Sequence, residues 1–284
     1  MRKKIIAAIA CLMLTLPAIA QETVSFPLEK HSDGHYYFQA DVCGKGAQIM
    51  LESGIPALLI GRDFYDSNMK DCGLEFRPSE SRMRLMNGSY RISFRADGRV
   101  GVGGAVYDGP VFILEGFDGI SLPVQHLKDR KTGRRIVTVD LERLSMSVGG
   151  TVPVKGSKYR MTLDRETGRP FVSSYFYIDG QAFDGKLIVD LGNPMLLFLF
   201  SQHRCLKNAV AKGAIELHDA YDRNGRLVAQ GISAGSVKLF GKEYGNVSVG
   251  VTDVYRNARE VGFLGTPFFD TPVVMDFDKG WLYK

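Results

Sequence analysis

The segment Ile49-Met50-Leu51-Glu52-Ser53-Gly54 is an apolar run that ends in an acidic residue, one further residue and a glycine. The pattern returns 138 residues later as Leu187-Ile188-Val189-Asp190-Leu191-Gly192. An Asn-Gly dipeptide follows each acid, after 35 and 34 residues respectively, and a strand-like run ending in Asp follows after 88 and 86 residues. A repeat of this length is too long for a solenoid unit and fits a duplicated half-domain. The chain is therefore predicted to contain two copies of one fold.

Short β-branched and aromatic runs dominate both copies, which indicates a mostly β fold. The predicted strands are 36–42, 47–51, 90–94, 111–114 and 136–139 in the first copy, and 172–178, 186–189, 227–229, 237–240, 247–251 and 273–277 in the second. Each copy also predicts one short helix, at 62–72 before Gly73 and at 201–212 before Gly213, with Ser201 as the N-cap of the second. A Gly/Pro/Val-rich stretch at 149–157 marks the boundary between the copies.

Residues 1–20 have the pattern of a secretory signal peptide. Three basic residues open the chain, an apolar stretch follows, and Ala18-Ile19-Ala20 forms a small-residue cleavage site before Gln21. The apolar stretch is too short for a stable membrane span. We therefore expect an exported protein, periplasmic or secreted, with no stable membrane insertion.

Charge adds little to the choice of partner. The formal net charge of +5 falls to about +2 once Arg2, Lys3 and Lys4 leave with the signal peptide. Such a balance gives no support for nucleic acid or an anionic membrane as a partner. We expect a monomer that needs no cofactor and no metal.

Three cysteines remain in the mature chain: Cys43, Cys72 and Cys205. Export permits a disulfide, and Cys43 and Cys72 lie in the same copy. Three reduced thiols are the other interpretation, and the sequence leaves the pairing open.

The two acids are the candidate chemical groups. A carboxylate at the end of one apolar strand is usually a strand end that faces water. Two carboxylates at matching positions of a duplicated fold can meet instead at the interface of the copies, where they share a proton. One acid then deprotonates water while the other protonates a carbonyl oxygen.

These motifs resemble the pepsin/retropepsin clan of aspartic peptidases, in its two-lobed form. In that family each lobe carries a strand ending in Asp-Thr/Ser-Gly, to which Glu52-Ser53-Gly54 and Asp190-Leu191-Gly192 correspond. A late hydrophobic-hydrophobic-Gly motif matches Gly262-Phe263-Leu264-Gly265, with Gly119-Ile120-Ser121-Leu122 as its counterpart. The resemblance implies two similar, mostly antiparallel β lobes (21–152 and 153–284), each with a short helix, that face each other across a cleft. The order and spacing of the motifs, more than any single motif, support the resemblance.

The resemblance also implies roles for particular residues. Glu52 and Asp190 would be the catalytic pair, supported by Ser53, Gly54, Leu191 and Gly192 in the two loops. The Asn87-Gly88 and Asn224-Gly225 hairpin tips are candidate flaps, with Tyr90 as a flap tyrosine; ordinary β-turns are the other interpretation for both tips.

Two departures from the family pattern bear on activity. Glu52 adds a methylene where the family has Asp, and Leu191 lacks the hydroxyl that ties the two loops in the family. We therefore expect an impaired peptidase homologue, active at acidic to neutral pH if at all. The alternative is a non-catalytic protein that binds a peptide or another extended ligand in the cleft. A structural envelope protein with a filled cleft is a third hypothesis.

The remaining patterns are not assigned a catalytic or binding role. Gly231-Ile232-Ser233-Ala234-Gly235 matches the serine-hydrolase motif, but a strand follows it and no histidine comes later than His218. Asp140 and Asp276 are interpreted as turn-capping side chains.

Overall fold

The structure is a computed structural model that describes residues 23–69, 72–152, 156–221, 227–255 and 259–284. The protein is mostly β: its described residues form 22 strands and two α-helices. No helix among them is both long and apolar enough to cross a lipid bilayer.

The first half of the described chain (23–152) has twelve strands, one α-helix and one 3₁₀ turn. Its elements are β1 (Val24–Lys30), β2 (Tyr36–Val42), β3 (Lys45–Glu52), β4 (Leu58–Gly61), α1 (Arg62–Asn68), β5 (Arg77–Pro78), β6 (Arg82–Leu85), β7 (Gly88–Val102), β8 (Ala105–Glu115), β9 (Ile120–Pro123), a 3₁₀ turn (Val124–His126), β10 (Leu127–Asp129), β11 (Ile136–Asp140) and β12 (Ser145–Val148).

The second half (156–284) repeats this order with fewer strands. Its elements are β13 (Lys158–Leu163), β14 (Pro170–Ile178), β15 (Gln181–Val189), β16 (Leu197–Phe200), α2 (Arg204–Ala211), β17 (His218–Tyr221), β18 (Leu227–Leu239), β19 (Lys242–Thr252), β20 (Gly262–Leu264), a 3₁₀ turn (Thr266–Phe268), β21 (Val273–Asp276) and β22 (Trp281–Tyr283).

The strands around the two acids pair in the same way in both halves. The acid-bearing strand β3 runs parallel to β9, and β15 runs parallel to β20. The following strand, β4 or β16, pairs in parallel with the long hairpin strand β8 or β19 and antiparallel with β9 or β20. The two acid-bearing strands thus have equivalent neighbours in the sheet.

A set of six strands joins the two halves. Its order is β1-β12-β11-β21-β22-β13, all antiparallel. The central pair, β11 and β21, places Ile136 opposite Asp276 and Val139 opposite Val273, so equivalent strands of the two halves meet each other. The main hydrophobic core runs through both halves, from Phe38 and Leu51 to Phe176 and Val189. Burial of this size holds the halves together as one packed body.

Several sequence predictions differ from the structure in detail. The segments predicted as separate strands at 227–229 and 237–240 are, apart from Phe240, parts of β18, which pairs with β19 from Gln230 to Leu239. The Gly231–Gly235 motif therefore lies inside a strand, where no nucleophile elbow can form. The first helix ends at Asn68, and the second starts at Arg204.

The N-cap of the second helix is His203, not Ser201. The His203 ring accepts a hydrogen bond from the Cys205 N–H, because its Nδ1 reaches the free donor of the first turn. Ser201 instead uses its backbone N–H, which donates to the Thr252 carbonyl.

The register of the late motif also differs from the prediction. Because Ile49 is opposite Ile120 and Leu187 is opposite Gly262, Ile120 and Gly262 are equivalent. Pro123, not Leu122, therefore occupies the place of Gly265 in the first half.

Candidate functional site

The two predicted acids lie at the ends of equivalent strands. Glu52 is the last residue of β3, and Asp190 directly follows β15. The backbone N–H of Asp190 donates to the Leu264 carbonyl, which extends the pairing of β15 with β20 by one residue. Both side chains are buried, with 8% and 9% of their surface exposed.

The structure brings the two carboxyl groups together by packing each one against the glycine of the opposite loop. A Cβ at Gly54 would come within 2.5 Å of the Asp190 carboxyl carbon, and a Cβ at Gly192 would overlap the Glu52 carboxyl group. Only glycine leaves this space, since every other residue carries a Cβ. The predicted roles of Gly54 and Gly192 as supporting residues therefore have a steric basis.

The electrostatics of the pair place its proton on Glu52. Burial raises the pKa of Glu52 well above its ordinary value, and the charge of Asp190 raises it further. Burial also raises the pKa of Asp190, but hydrogen bonds from Glu52 and from the backbone N–H groups of Gly192 and Gly54 oppose that shift. The Gly192 N–H lies 3.0 Å from Asp190 Oδ1. Asp190 is thus the better-stabilised carboxylate.

The orphaned oxygen of Glu52 agrees with this assignment. Glu52 Oε2 is buried and accepts no hydrogen bond from the described atoms. A buried carboxylate oxygen without a donor is costly, whereas a protonated carboxyl group can itself donate to the neighbouring acid.

Ser53 ties the first loop to the second. Its Oγ donates to the Val189 carbonyl (2.8 Å) and accepts from the Leu191 N–H (2.9 Å), and the side chain is fully buried. Leu191 is equally buried but has no polar atom to return such a bond. The hydroxyl tie between the loops is therefore one-sided.

The two 3₁₀ turns hold the acid loops from behind. Gln125 Nε2 donates to the Ile55 carbonyl at 3.0 Å, and the Thr266 N–H and Oγ1 donate to the Asn193 carbonyl at 2.8 and 3.2 Å. Ile55 and Asn193 each stand three residues after an acid. Sequence reasoning missed Gln125 and Thr266, although both closely follow the late motif on which the resemblance rests.

A cavity of about 770 Å³ opens onto the two acids. Its lining includes Glu52, Gly54, Asp190 and Gly192, together with His35 of the β1–β2 turn. His35 was not singled out as a site residue in the sequence; burial raises the pKa of Asp190, and the interaction with His35 is among the effects that oppose this rise. Gly34 beside it packs against Pro194, so this turn contacts the Asp190 loop directly.

Two apolar walls flank the acids, one from each half. The first-half wall is a separate hydrophobic cluster whose cavity-lining members are Ile55, Leu59, Leu85 and Phe117. The second-half wall is an aromatic cluster, and its cavity-lining members are Phe198, Tyr255 and Phe263. An apolar cavity with a few convergent polar groups is the usual form of a ligand site.

The first predicted flap is a hairpin of β6 and β7, shifted by one residue. Leu85 pairs with Gly88, so Met86 and Asn87 form the turn and Gly88 begins the strand. Asn87 lines the cavity. Tyr90 packs edge-on against Phe117, with ring centroids 5.5 Å apart, and so supports the wall from behind. The second candidate tip, Asn224-Gly225, lies outside the described residues.

An ion pair joins this hairpin to the second half. Arg84 Nη2 lies 3.0 Å from Asp253 Oδ1, and both side chains are exposed. The cavity is lined by Leu85 and Met86 on one side of the ion pair and by Val254 and Tyr255 on the other. The pair therefore spans the mouth of the cavity.

The other repeated acids have the structural role predicted for them. Asp140 Oδ1 accepts from the Arg143 N–H, and Asp276 Oδ1 accepts from the Lys279 N–H, each at 2.9 Å. They cap turns outside the cavity, and their prediction as turn-capping residues is confirmed. Among the described residues, no three His, Cys, Asp or Glu side chains gather as metal ligands would.

Searches against models of protein families and against curated proteins find no match to this sequence. The interpretation of the site therefore depends on its own geometry.

Proposed function

We propose that this protein binds an extended peptide between two pepsin-like lobes and hydrolyses it with the carboxyl pair Glu52 and Asp190. The observation that carries the proposal is the packing of each acid against the glycine of the opposite loop. This arrangement places two buried carboxyl groups at the floor of one open cavity. Two carboxyl groups that share a proton form a combined acid and base.

The proposed mechanism of hydrolysis follows from the assignment of the shared proton to Glu52. Asp190, as the carboxylate, takes a proton from a water molecule while the water oxygen bonds to the peptide carbonyl carbon. Glu52 gives its proton to the carbonyl oxygen in the same step. The C–N bond of the tetrahedral intermediate then breaks as Asp190 gives its proton to the leaving nitrogen and Glu52 takes a proton from a hydroxyl of the intermediate, so that the pair again holds one proton.

The expected pH profile follows from the two pKa shifts. Activity needs Glu52 protonated, so it falls as the pH rises through the raised pKa of Glu52. It also needs Asp190 ionised, so it falls in acid as Asp190 takes up a proton. Activity is therefore expected at acidic to neutral pH.

Two apolar walls supply the binding energy. Aliphatic side chains dominate the lining of the first wall and aromatic ones that of the second, so ligand side chains on the two sides of the scissile bond meet different surfaces. Burial of one large apolar side chain contributes about 1.5–3 kcal/mol. A peptide long enough to reach both walls is thus held more tightly than a dipeptide.

A second candidate function is peptide binding without cleavage. The specific observation that favours it is Leu191, which leaves the Asp190 loop without a hydroxyl tie of its own. Glu52 also carries its carboxyl group one methylene farther from the backbone than Asp would. A dyad that depends on placement within an ångström loses rate when either loop is loosely held.

Cleavage of a peptide library at roughly pH 3 to 8 tests the proposal, because general acid–base catalysis makes the rate depend on both protonation states. We expect Asp190→Asn to lower kcat/KM by about 100-fold or more, since it removes the base. Asp140→Asn serves as the matched control, because Asp140 is a buried, repeated acid outside the cavity. If the folded wild-type protein retains peptides but cleaves none at any pH, the binding function replaces the catalytic one. If it neither retains nor cleaves them, both fail.

A further inference from the structure

The β2–β3 turn of the first half carries a cysteine where the equivalent turn of the second half carries an aspartate. The first turn is Cys43-Gly44, with φ values of 54° and 80°, and the second is Asp179-Gly180, with φ values of 47° and 80°. Two-residue hairpins with positive φ at both positions favour Asn-Gly or Asp-Gly. A cysteine in the left-handed region costs free energy that Asn or Asp largely avoids.

The aspartate has a visible role in its turn. Asp179 Oδ1 accepts from the Ser236 N–H at 2.8 Å, and the Asp179 N–H donates to the Ser236 carbonyl at 3.0 Å. The side chain thereby attaches the turn to β18. In the first half the corresponding backbone bond exists, from the Cys43 N–H to the Gly101 carbonyl of β7 at 3.3 Å, but a thiol is a poor substitute for the carboxylate.

A second cysteine lies beside this turn. Leu74, two residues after Cys72, packs over Gly98 of β7, three residues from the Gly101 that binds Cys43. Cys43 and Cys72 both pack, half-buried, against the same hydrophobic core. Burial, and after it the neighbouring thiol of Cys72, raises the pKa of Cys43 to about 11. Such a thiol is rarely ionised at neutral pH, so its exchange is slow, which suits a lasting structural bond and disfavours redox catalysis by Cys43.

We propose that Cys43 and Cys72 form a structural disulfide that attaches the β2–β3 turn and the segment after α1 to each other. Cys43 binds β7 at Gly101, the segment that follows Cys72 packs on β7 at Gly98, and Cys43 occupies a turn position where a cysteine brings no backbone advantage. The bond would replace covalently the attachment that Asp179 makes by hydrogen bonding in the second half.

The reaction is an exchange with a disulfide-bearing oxidant, such as oxidised glutathione or an oxidised dithiol protein. Each cysteine gives up its thiol proton, and the two together give two electrons to the partner. One S–S bond breaks in the partner and one forms here, and the partner leaves as two thiols. Cys205 takes no part, because it lies in α2 of the second half, with its Sγ 3.6 Å from the Asp184 carbonyl.

The test equilibrates the purified mature chain, residues 21–284, in glutathione buffers from reducing to oxidising, then alkylates the free thiols and digests the protein without reductant. We expect a mass lower by two hydrogen atoms, a single linked peptide pair containing Cys43 and Cys72, and alkylation of Cys205 alone. Reduction should raise the equilibrium constant for unfolding on the order of 100-fold, which is typical of a disulfide that closes a loop of this size.

Cys43→Asn is the decisive variant, because asparagine suits the turn and the protein should still fold. It should abolish the linked peptide and the effect of reductant, whereas Cys205→Ser should leave both unchanged. Free alkylation of Cys43 and Cys72 in folded protein at the most oxidising ratio would overturn the inference. So would linkage of either residue to Cys205, or glutathione held stably on either one. None of these readouts depends on whether the cleft binds or cleaves peptides.

Discussion

The loops after β3 and β15 follow the same path, yet they are held differently. Ser53 reaches across to the Val189 carbonyl and the Leu191 N–H, whereas Leu191 offers only an apolar side chain in return. Both acids nevertheless rest against the opposite glycine. The comparison indicates that one hydroxyl, together with the two 3₁₀ turns behind the loops, is enough to bring the carboxyl groups together. What the second loop lacks is a tie of its own.

Removal of the Ser53 hydroxyl, which links the two loops, should have the largest effect on the free energy of unfolding. Ser53→Ala leaves the buried Leu191 N–H and Val189 carbonyl without this partner, and each unsatisfied group costs about 1–3 kcal/mol. We expect the free energy of unfolding to fall by about 2–4 kcal/mol in denaturant titrations. Ser53→Thr keeps the hydroxyl and is the matched control. Equal stability of the alanine and wild-type proteins would mean that the tie contributes nothing.

Glu52→Gln should have the next largest effect on the free energy of unfolding, and this effect should depend on pH. Because the folded protein holds the Glu52 proton more tightly than the unfolded chain does, wild-type stability is full below the unfolded pKa and is lost as the pH rises through the folded pKa. The loss approaches about 1.4 kcal/mol per pH unit within that window. Glutamine cannot ionise, so the variant should unfold with a flatter pH profile and be more stable than wild type at neutral pH. Parallel profiles for the two proteins would place the proton elsewhere.

Leu191→Thr should have the smallest effect and sharpens the comparison most. Truncation of the buried leucine to alanine costs about 2–5 kcal/mol, because it leaves a cavity. Threonine restores the hydroxyl that the loop lacks, and we expect it to recover much of that loss, to within about 1 kcal/mol of wild type. Melting curves of the alanine and threonine variants, measured together with kcat/KM, test this. If threonine is no better than alanine, the Asp190 loop cannot form a tie of that kind.

The sequence predicts those parts of the fold that depend on local pattern and internal repetition. The ends of β3 and β15, with their acids, follow from an apolar run that stops at a carboxylate, and the structure buries both acids at one site. The capping roles of Asp140 and Asp276 also follow from position alone. These features need only neighbouring residues to be specified.

Features that depend on distant strands are predicted less well. The equivalence of Pro123 with Gly265 comes from the parallel register of β3 with β9, which no local signal fixes. The backbone of Ser201, the predicted N-cap, is bound to Thr252 of the distant strand β19, and His203 caps α2 instead, although serine is the more frequent cap. His35, Gln125 and the Arg84–Asp253 pair come to the site only when the chain folds, because their partners lie far away in the sequence.

The ion pair between Arg84 and Asp253 has a consequence for how a ligand reaches the acids. Exposed pairs of this kind contribute about 0–1 kcal/mol, which is comparable to thermal energy. At physiological ionic strength the screening length is about 8 Å, so added salt weakens the pair further. The Ser53 tie is buried and is shielded from the same ions. Ionic strength should therefore change the rates at which the cleft binds and releases a ligand. The arrangement of the two acids below should not depend on ionic strength in this way.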